Sequence, residues 1–193
     1  MAETLYRLEI ESLDLGPGIR AVGLELLDPE TREPVTGAEA GRIWAAVVVA
    51  LATGEPWSLD FFAHLERVRE FCRLQELPFR EPNDHALVIA GSDVVDVGQE
   101  KFALLLERFA GETFGARAGA PVATGDAAVE GGLAERGVDA YEAVFRNYLF
   151  CGVFDIENGF LTLLSERLWA SEVMRRVRGA LTGLHVEVTR PPE

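Results

Sequence analysis

Alternating hydrophobic and polar residues open the chain and predict strands. In residues 4–12 every second side chain is apolar and the others are mostly charged, which is the period of a half-buried strand. A turn rich in Gly and Pro at 15–18 leads into a second apolar stretch at 19–27. Together these segments predict a β-hairpin at the start of the fold.

A helical period replaces this alternation later in the chain. Apolar residues there recur every three or four positions, as on one face of a helix. Thr36 and Glu39 form a T-x-x-E capping box, and Ser58 is a second candidate cap. Asp96 and Gln99 give a further capping pattern. We predict helices at 37–53, 59–76, 97–110, 139–148 and 166–179.

The remaining segments complete an α+β fold. The Pro-rich and charged stretch 78–85 predicts a loop, and short apolar or alternating stretches predict three more strands at 86–90, 160–164 and 184–188. We therefore expect a mainly antiparallel sheet of about six strands, with two hairpins, packed with about five helices.

A glycine-rich stretch interrupts this order of elements. Residues 111–137 contain seven glycines, and long irregular loops are uncommon inside a compact domain. We expect a mobile segment or a loose helix at 126–136. A chain of 193 residues is otherwise predicted to form a single globular domain, residues 1–193.

The net charge of the chain disfavours two classes of binding partner. A formal net charge of −14 disfavours nucleic acid, because affinity for phosphates comes mainly from Lys and Arg. It also disfavours docking on anionic membranes. The longest apolar run, 43–52, has ten residues, whereas a membrane-spanning helix needs about twenty. We expect a soluble, cytoplasmic protein.

Residues 151–160, CGVFDIENGF, admit two interpretations. On a strand, Asp155 and Glu157 would point to the same side and could share two divalent cations. The stretch VFDIE resembles the first-strand motif of metal-dependent exonucleases of the four-acidic-residue type. That resemblance covers five residues, and the threonines that usually follow the Glu are absent.

The second interpretation is a hairpin, and it accounts for more residues. Asn158 and Gly159 are the favoured central pair of a type I′ turn, in which both positions need positive φ. Such a turn pairs Asp155 with Thr162 and Phe154 with Leu163. One face of the hairpin is then apolar, formed by Phe150, Phe154, Ile156, Leu161 and Leu163.

Other residues that could take part in catalysis or ligand binding are scattered along the chain. The histidines His64, His85 and His185 have no nearby partner at metal-ligand spacing. Cys72 and Cys151 lie in apolar segments and are expected to be small buried hydrophobes. The stretch VIAGSDVVD (88–96) runs from a strand into a helix start, where a plain turn with helix caps is favoured over an anion site. We predict no catalytic residue, no metal ligand and no cofactor.

Six residues are candidate binding residues. Arg175, Arg176 and Arg178 form the local basic cluster of an acidic chain, suited to an acidic partner or a phosphate, although they also complement the helix dipole. Trp57 stands close to Phe61 and Phe62, and aromatic side chains often anchor interfaces. Asp155 and Glu157 give the predicted hairpin an acidic tip.

The sequence thus favours a non-enzymatic protein-interaction or regulatory module. Its partner is expected to be another protein, and a second copy of the chain is one candidate. The alternative is a small-molecule-binding protein or hydrolase with a pocket between sheet and helices and residues 111–137 as a lid. A third interpretation, nucleic-acid binding through the helix of Arg175–Arg178, is disfavoured by the net charge.

Overall fold

A computed structural model describes residues 5–14, 20–52, 54–110, 113–119, 149–156, 158–165 and 168–191. Within these ranges the chain is α+β. The strands are β1 (Tyr6–Asp14), β2 (Arg20–Leu27), β3 (Trp57–Phe61), β4 (Arg80–Asn83), β5 (Ala86–Ala90), β6 (Thr113–Ala118), β7 (Phe150–Asp155), β8 (Phe160–Leu164) and β9 (Val186–Thr189). The helices are α1 (Gly37–Leu51), α2 (Leu65–Leu74), α3 (Gly91–Val97), α4 (Gln99–Arg108) and α5 (Ala170–Ala180).

The strands form one sheet in the order β4-β5-β3-β6-β7-β8-β2-β1-β9. Neighbours in this sheet are antiparallel, except that β9 runs parallel to β1. The predicted α+β class with a mainly antiparallel sheet is confirmed. The predicted number of about six strands is too low for the described residues, since β3, β4 and β6 arise from segments predicted as helix, loop and glycine-rich segment.

Helix α1 lies over the middle of the sheet and is the centre of the core. The indole ring of Trp44 on α1 contacts the ring of Phe154 on β7 edge-on, with ring centroids 5.9 Å apart. The predicted helix 37–53 is therefore correct in place, and burial of its valines outweighs their preference for strands. The predicted capping box is wrong: Thr36 makes no side-chain capping bond, and Gly37, which follows it, has a left-handed backbone (φ +74°).

The first part of the predicted helix 59–76 is the strand β3. Leu59 and Phe61 point toward the helices, whereas Ser58 and Asp60 point to the opposite face of the sheet. Ser58 is therefore a strand residue and caps no helix. The helix begins only at Leu65, after His64 turns the chain with φ +50°. Pairing with β5 and β6 on both sides outweighs the local helical pattern.

The predicted loop 78–85 contains the edge strand β4, which forms a third hairpin with β5. All four residues of β4 are exposed and one is Pro82, so this strand has no alternating pattern. Exposed charge and proline are typical of protected sheet edges. At the other edge, β9 is short and is followed by Pro191.

The predicted helix 97–110 is confirmed as α4, and a further helix, α3, precedes it in the stretch 88–96, for which the sequence predicted a plain turn with helix caps. The chain passes directly from β5 into α3, and Gly98, with φ +99°, separates α3 from α4. Gly98 also occupies the N-cap position of α4, with no side-chain capping bond, so the predicted capping pattern at Asp96 and Gln99 is wrong. Glycine is the residue that adopts this backbone conformation without strain.

The glycine-rich segment 111–137 begins with a strand. Residues Thr113–Ala118 form β6 between β3 and β7, so this part of the predicted mobile segment belongs to the sheet. Its small side chains Ala116 and Ala118 alternate with Arg117, a weak signal that the glycines obscured. The rest of the segment, including 126–136, lies outside the described residues, as does the predicted helix 139–148.

The last two elements have the predicted type but begin later than predicted. The predicted helix 166–179 corresponds to α5, which begins at Ala170, and the predicted strand 184–188 corresponds to β9, which begins at Val186 after a turn at His185 with φ +53°. Among the described helices, none is long and apolar enough to cross a membrane.

Candidate functional site

The hairpin of β7 and β8 has a wider turn than predicted. Asp155 pairs with Phe160 and Phe154 with Leu161, so four residues, 156–159, form the connection. Only Gly159 of the Asn-Gly pair has positive φ, at +68°, which excludes a type I′ turn. The predicted pairing of Asp155 with Thr162 is therefore wrong, and Val153 lies opposite Thr162.

The predicted faces of the hairpin are nevertheless correct. The side chains predicted to be apolar neighbours on one face are all buried: Phe150, Phe154, Ile156, Leu161 and Leu163. The observed register differs from the predicted one by two residues, and side chains alternate with a period of two, so every residue keeps its face. The hairpin lies in the middle of the sheet.

The acidic tip of the hairpin stabilises its own turn. One carboxylate oxygen of Asp155 accepts a hydrogen bond from the backbone N–H of Asn158 at 3.2 Å, and the other accepts one from the Asn158 side chain at 2.9 Å. Glu157 lies outside the described residues. Among the residues that are described, no group of three or more His, Cys, Asp or Glu side chains is placed to hold a metal ion.

The three arginines of α5 all have partners within the protein. Arg175 donates two hydrogen bonds to Glu172 at 2.8 and 2.7 Å. Arg176 donates to Glu172 at 2.9 Å and to the carbonyl of Leu51 at 2.7 Å, which ties α5 to the end of α1. Arg178 reaches the carbonyl of Val188 at 3.4 Å. The arginines of the cluster therefore make contacts within α5 and from α5 to α1 and β9.

Trp57 is part of the packing between β3 and the helices. Its indole ring lies 5.3 Å from the ring of Phe102 and directly against Gly91, where an added Cβ would overlap it. The neighbouring aromatics alternate as strand residues do: Phe61 is buried, while Phe62 is 65% exposed. Trp57 is therefore only half-exposed, and it holds α3 and α4 over the sheet.

A buried ion pair lies on the face of the sheet turned away from α1, and the sequence pattern did not reveal it. Asp60 on β3 is 2% exposed and accepts hydrogen bonds from Arg117 on β6 at 2.7 and 2.8 Å. The two residues are 57 positions apart, and only the pairing of β3 with β6 brings them together. Near the other end of the sheet, buried Glu9 accepts from Arg32 in the same way.

The cysteines are not activated nucleophiles. Cys72 is buried on α2, as expected, and Cys151 on β7 is half-buried. Burial raises the pKa of each thiol to about 12. Arg117 opposes this rise at Cys151 and Asp60 adds to it, but burial has the larger effect. At neutral pH both thiols keep their protons, so they lack the thiolate that nucleophilic attack requires.

The outer surface of the helix layer carries a groove with α1 as its floor. One part, of about 540 Å³, is lined by Ala38, Arg42, Gln99, Glu100, Ala103, Leu104, Glu107 and Leu184. A second part, of about 500 Å³, is lined by Ala46, Val49, Ala50, Val94, Gln99, Phe102, Arg176 and Ala180. The two parts share Gln99 and together follow α1 from one end to the other. We call them the α1 groove.

The flanking helices form the two walls of the α1 groove. Gln99 lies near the C-terminal half of α1 and Glu107 near its N-terminal half, so α4 runs antiparallel to α1. Arg176 and Ala180 lie near the C-terminal half of α1, and Leu184 lies near its N-terminal half. Helix α5 and the turn after it therefore also run antiparallel to α1. The groove therefore has two parallel walls.

The floor of the groove consists of small and apolar residues together with Arg42. Ala38, Arg42, Ala46 and Val49 recur every three or four positions of α1, which places them on one strip. Twelve residues separate Ala38 from Ala50, a length of about 18 Å along a helix axis. Val49 and Leu104 are 40% and 41% exposed, so the groove offers apolar surface to solvent. Sequence periodicity does not single out this strip, because most other positions of α1 are apolar as well.

Two carboxylates stand on the α4 wall. Among the described residues, Glu100 and Glu107 make no side-chain hydrogen bond or ion pair. Arg42 lines the same part of the groove, but its guanidinium is paired with Glu39. The part of the α1 groove lined by Ala38 and Arg42 is therefore acidic, and the part lined by Val49 and Ala50 is mainly apolar.

The chain matches no protein-family model, no curated protein and no solved structure. Its function has to be argued from its own side chains.

Proposed function

We propose that this chain is a non-enzymatic protein-interaction module that binds a helix of a partner protein in the α1 groove. The observation that carries the proposal is the groove itself: a trough about 18 Å long, with exposed Val49 and Leu104 between two parallel helical walls. Amphipathic helices bind in such apolar grooves through side chains three or four positions apart.

The dimensions of the groove suit a short helix. A length of about 18 Å accommodates about twelve residues, or three turns, of a partner helix. Small side chains at Ala38, Ala46 and Ala50 leave room on the floor, so apolar side chains of a partner can reach α1. Burial of exposed apolar surface then favours binding, at about 25 cal/mol for each Å² removed from water.

The alternative function places a small-molecule pocket between the sheet and the helices, and packing there argues against it. The rings of Phe61, Phe114 and Phe154 stack in a row along the sheet with centroids 5.0 Å apart. Trp44 and Phe109 close over this row from the helix side at 5.9 and 5.7 Å. Large buried side chains thus fill the space that a substrate would need at this interface.

If the partner is a second copy of the chain, the edges of the sheet favour association through the groove over strand addition. The edge strands β4 and β9 have four residues each, and prolines lie in or beside them. Such edges resist pairing with another strand. Association between copies would therefore use side-chain surfaces such as the α1 groove.

Photo-crosslinking in the cells that encode the protein tests the proposal. The photoreactive residue p-benzoylphenylalanine would replace Leu104 or Val49 in the groove. Leu74 on α2 serves as the matched control, because it is an apolar helix residue that is 73% exposed and does not line the groove. A second control replaces Phe62 on the sheet.

We expect discrete crosslinked products from positions 49 and 104 and none from position 74. Mass spectrometry identifies the attached protein, and titration of the purified partner by calorimetry then measures its affinity. A product of twice the mass of the chain would identify a second copy as the occupant. Crosslinked products from position 62 alone would show that the interface lies at the sheet and not in the groove. The absence of products from every position would contradict the proposal.

A further inference from the structure

We infer that the α1 groove selects a helix with two basic side chains two turns apart, which pair with Glu100 and Glu107. This inference rests on the proposed function, because it names the chemistry of the partner that binds in the same groove. It goes beyond that function by fixing where along the groove the basic and the apolar residues of the partner must lie.

The spacing of the two carboxylates is the first argument. Glu100 and Glu107 are seven positions apart on α4, so they lie on the same side of the helix and about 10.5 Å apart along its axis. Both line the groove. A helix that lies along the groove repeats its own side chains at the same interval, so Lys or Arg at positions i and i+7 would meet both carboxylates.

The lack of internal partners is the second argument. Glu39, Glu66, Glu81 and Glu172 each pair with an arginine of the chain. Among the described residues, Glu100 and Glu107 have no such pair, although they stand beside an apolar surface. Their charges are therefore available to a partner. Complementary charges at an interface set the orientation and raise the rate of association.

The distribution of apolar surface is the third argument. Leu104 lies between the two glutamates, so an apolar side chain of the partner fits between its two basic ones. Val49, Phe102 and Val94 line the other part of the groove, where none of the described lining residues is a carboxylate. The partner helix should therefore place its basic side chains over the part lined by Ala38 and Arg42, and apolar side chains over the part lined by Val49.

Synthetic helical peptides test the inference with the full chain. Three stapled peptides would share one apolar face and differ only at two positions seven residues apart, which carry Lys, Gln or Glu. Fluorescence anisotropy measures their dissociation constants at low and at physiological ionic strength. We expect the Lys peptide to bind about fivefold more tightly than the Gln peptide and the Glu peptide to bind most weakly.

Two double variants locate the effect. Replacing both groove carboxylates, as E100Q/E107Q, should remove the advantage of the Lys peptide and leave the Gln peptide unchanged. The control E70Q/E76Q removes the same charge from exposed positions around the C-terminal end of α2, outside the groove, and should leave the advantage intact. Leu104→Asp should weaken all three peptides, which shows that they bind in the groove.

The outcomes separate this inference from the proposed function. Equal binding of the three peptides, sensitive to Leu104→Asp, would overturn the charge selection and support the groove. An equal loss in E70Q/E76Q and E100Q/E107Q would overturn the selection, because only net charge would then matter. Absence of binding by every peptide would contradict helix binding itself.

Discussion

Arg117 on β6 holds the carboxylate of Asp60 on β3 with two hydrogen bonds, from Nε at 2.7 Å and from Nη2 at 2.8 Å. Ser58 Oγ lies 3.5 Å from the same carboxylate. Because Asp60 is buried, its negative charge depends on the guanidinium for compensation. The pair therefore links two central strands through their side chains as well as through their backbones.

Loss of this arginine should destabilise the fold. We expect Arg117→Met to lower the free energy of unfolding by about 3 kcal/mol, because the carboxylate of Asp60 is left buried without its counter-charge. Urea denaturation followed by circular dichroism measures the change. Replacing both residues, as Asp60→Leu with Arg117→Met, should be less damaging than Arg117→Met alone.

A second arginine of the chain provides the control. Arg175 holds Glu172 with the same two-bond geometry but is exposed to solvent. Water screens that pair, so Arg175→Met should lower the free energy of unfolding much less than Arg117→Met does. Equal losses from the two substitutions would show that burial of Asp60 has no part in its effect.

Gly41 allows α1 and α4 to approach closely, and a methyl group there should push them apart. A Cβ at position 41 would lie 2.5 Å from the carbonyl oxygen of Ala103 and 3.2 Å from the side chain of Glu107. Because the backbone of α4 cannot yield as a flexible side chain does, we expect Gly41→Ala to lower the free energy of unfolding by about 2 kcal/mol. Thermal unfolding measures this change.

Gly179 on α5 is the matched helical glycine. A Cβ there meets no atom within 4 Å, so Gly179→Ala should raise stability by about 0.5 kcal/mol through helix propensity alone. A stabilising Gly41→Ala would mean that the two helices are farther apart than described.

The two thiols should make stability fall at alkaline pH. Burial raises the pKa of Cys72 and of Cys151 to about 12, against about 9 when exposed. Between about pH 9 and pH 12 the unfolded chain has therefore lost these protons while the folded chain keeps them. Since the unfolded state then binds fewer protons, the free energy of unfolding decreases as pH rises through this window.

Denaturation at a series of pH values checks this slope. Substituting Ala for Cys72 and Cys151 together should make the alkaline decline shallower, whatever its effect at neutral pH. Ellman's reagent offers an independent measurement, since both thiols should react slowly in the native protein and rapidly after unfolding. An unchanged slope in the double variant would contradict the prediction.

Glu172 should titrate far below an ordinary glutamate. Hydrogen bonds from Arg175 and Arg176 lower the pKa of its carboxyl to about 2, against 4.5 when free. The stabilisation that it contributes is complete above about pH 4.5 and is lost as pH falls toward 2. A carbon-13 NMR titration of the carboxyl group gives the midpoint directly.

Substitutions in α5 assign the cause of this low pKa. Arg175→Gln and Arg176→Gln should each raise the midpoint of Glu172, whereas Arg178→Gln should not, because Arg178 points to the carbonyl of Val188. A midpoint near 4.5 in the unaltered protein would show that neither arginine holds the carboxylate in solution.

The sequence determines which side a residue faces more firmly than which residue it pairs with. In the β7–β8 hairpin, the apolar face was predictable because alternation alone defines it. The register was not, since it depends on how Asp155 binds Asn158 inside the turn. Strand β3 could not be predicted for a similar reason: its five residues form a strand only because they pair with β5 and β6 on either side.

The candidate site was harder to predict than the fold. The α1 groove is lined by four helices from three separate parts of the chain, and its floor is a strip of α1 that local periodicity does not distinguish from the core. The arginines of α5 were visible as a cluster, but one partner of Arg176, the carbonyl of Leu51, is 125 positions away. The spacing of residues along the chain does not predict contacts between segments that are so far apart in sequence.

One contact of the sheet has a consequence for how this chain can change in evolution. The N–H of Leu149 donates to the carbonyl of Ala118 at 2.7 Å, so β6 ends where β7 begins. This contact continues the six paired positions of β6 and β7, so a substitution that disturbs one of these strands also disturbs the other. The two strands should therefore change together in evolution, although they are far apart in sequence.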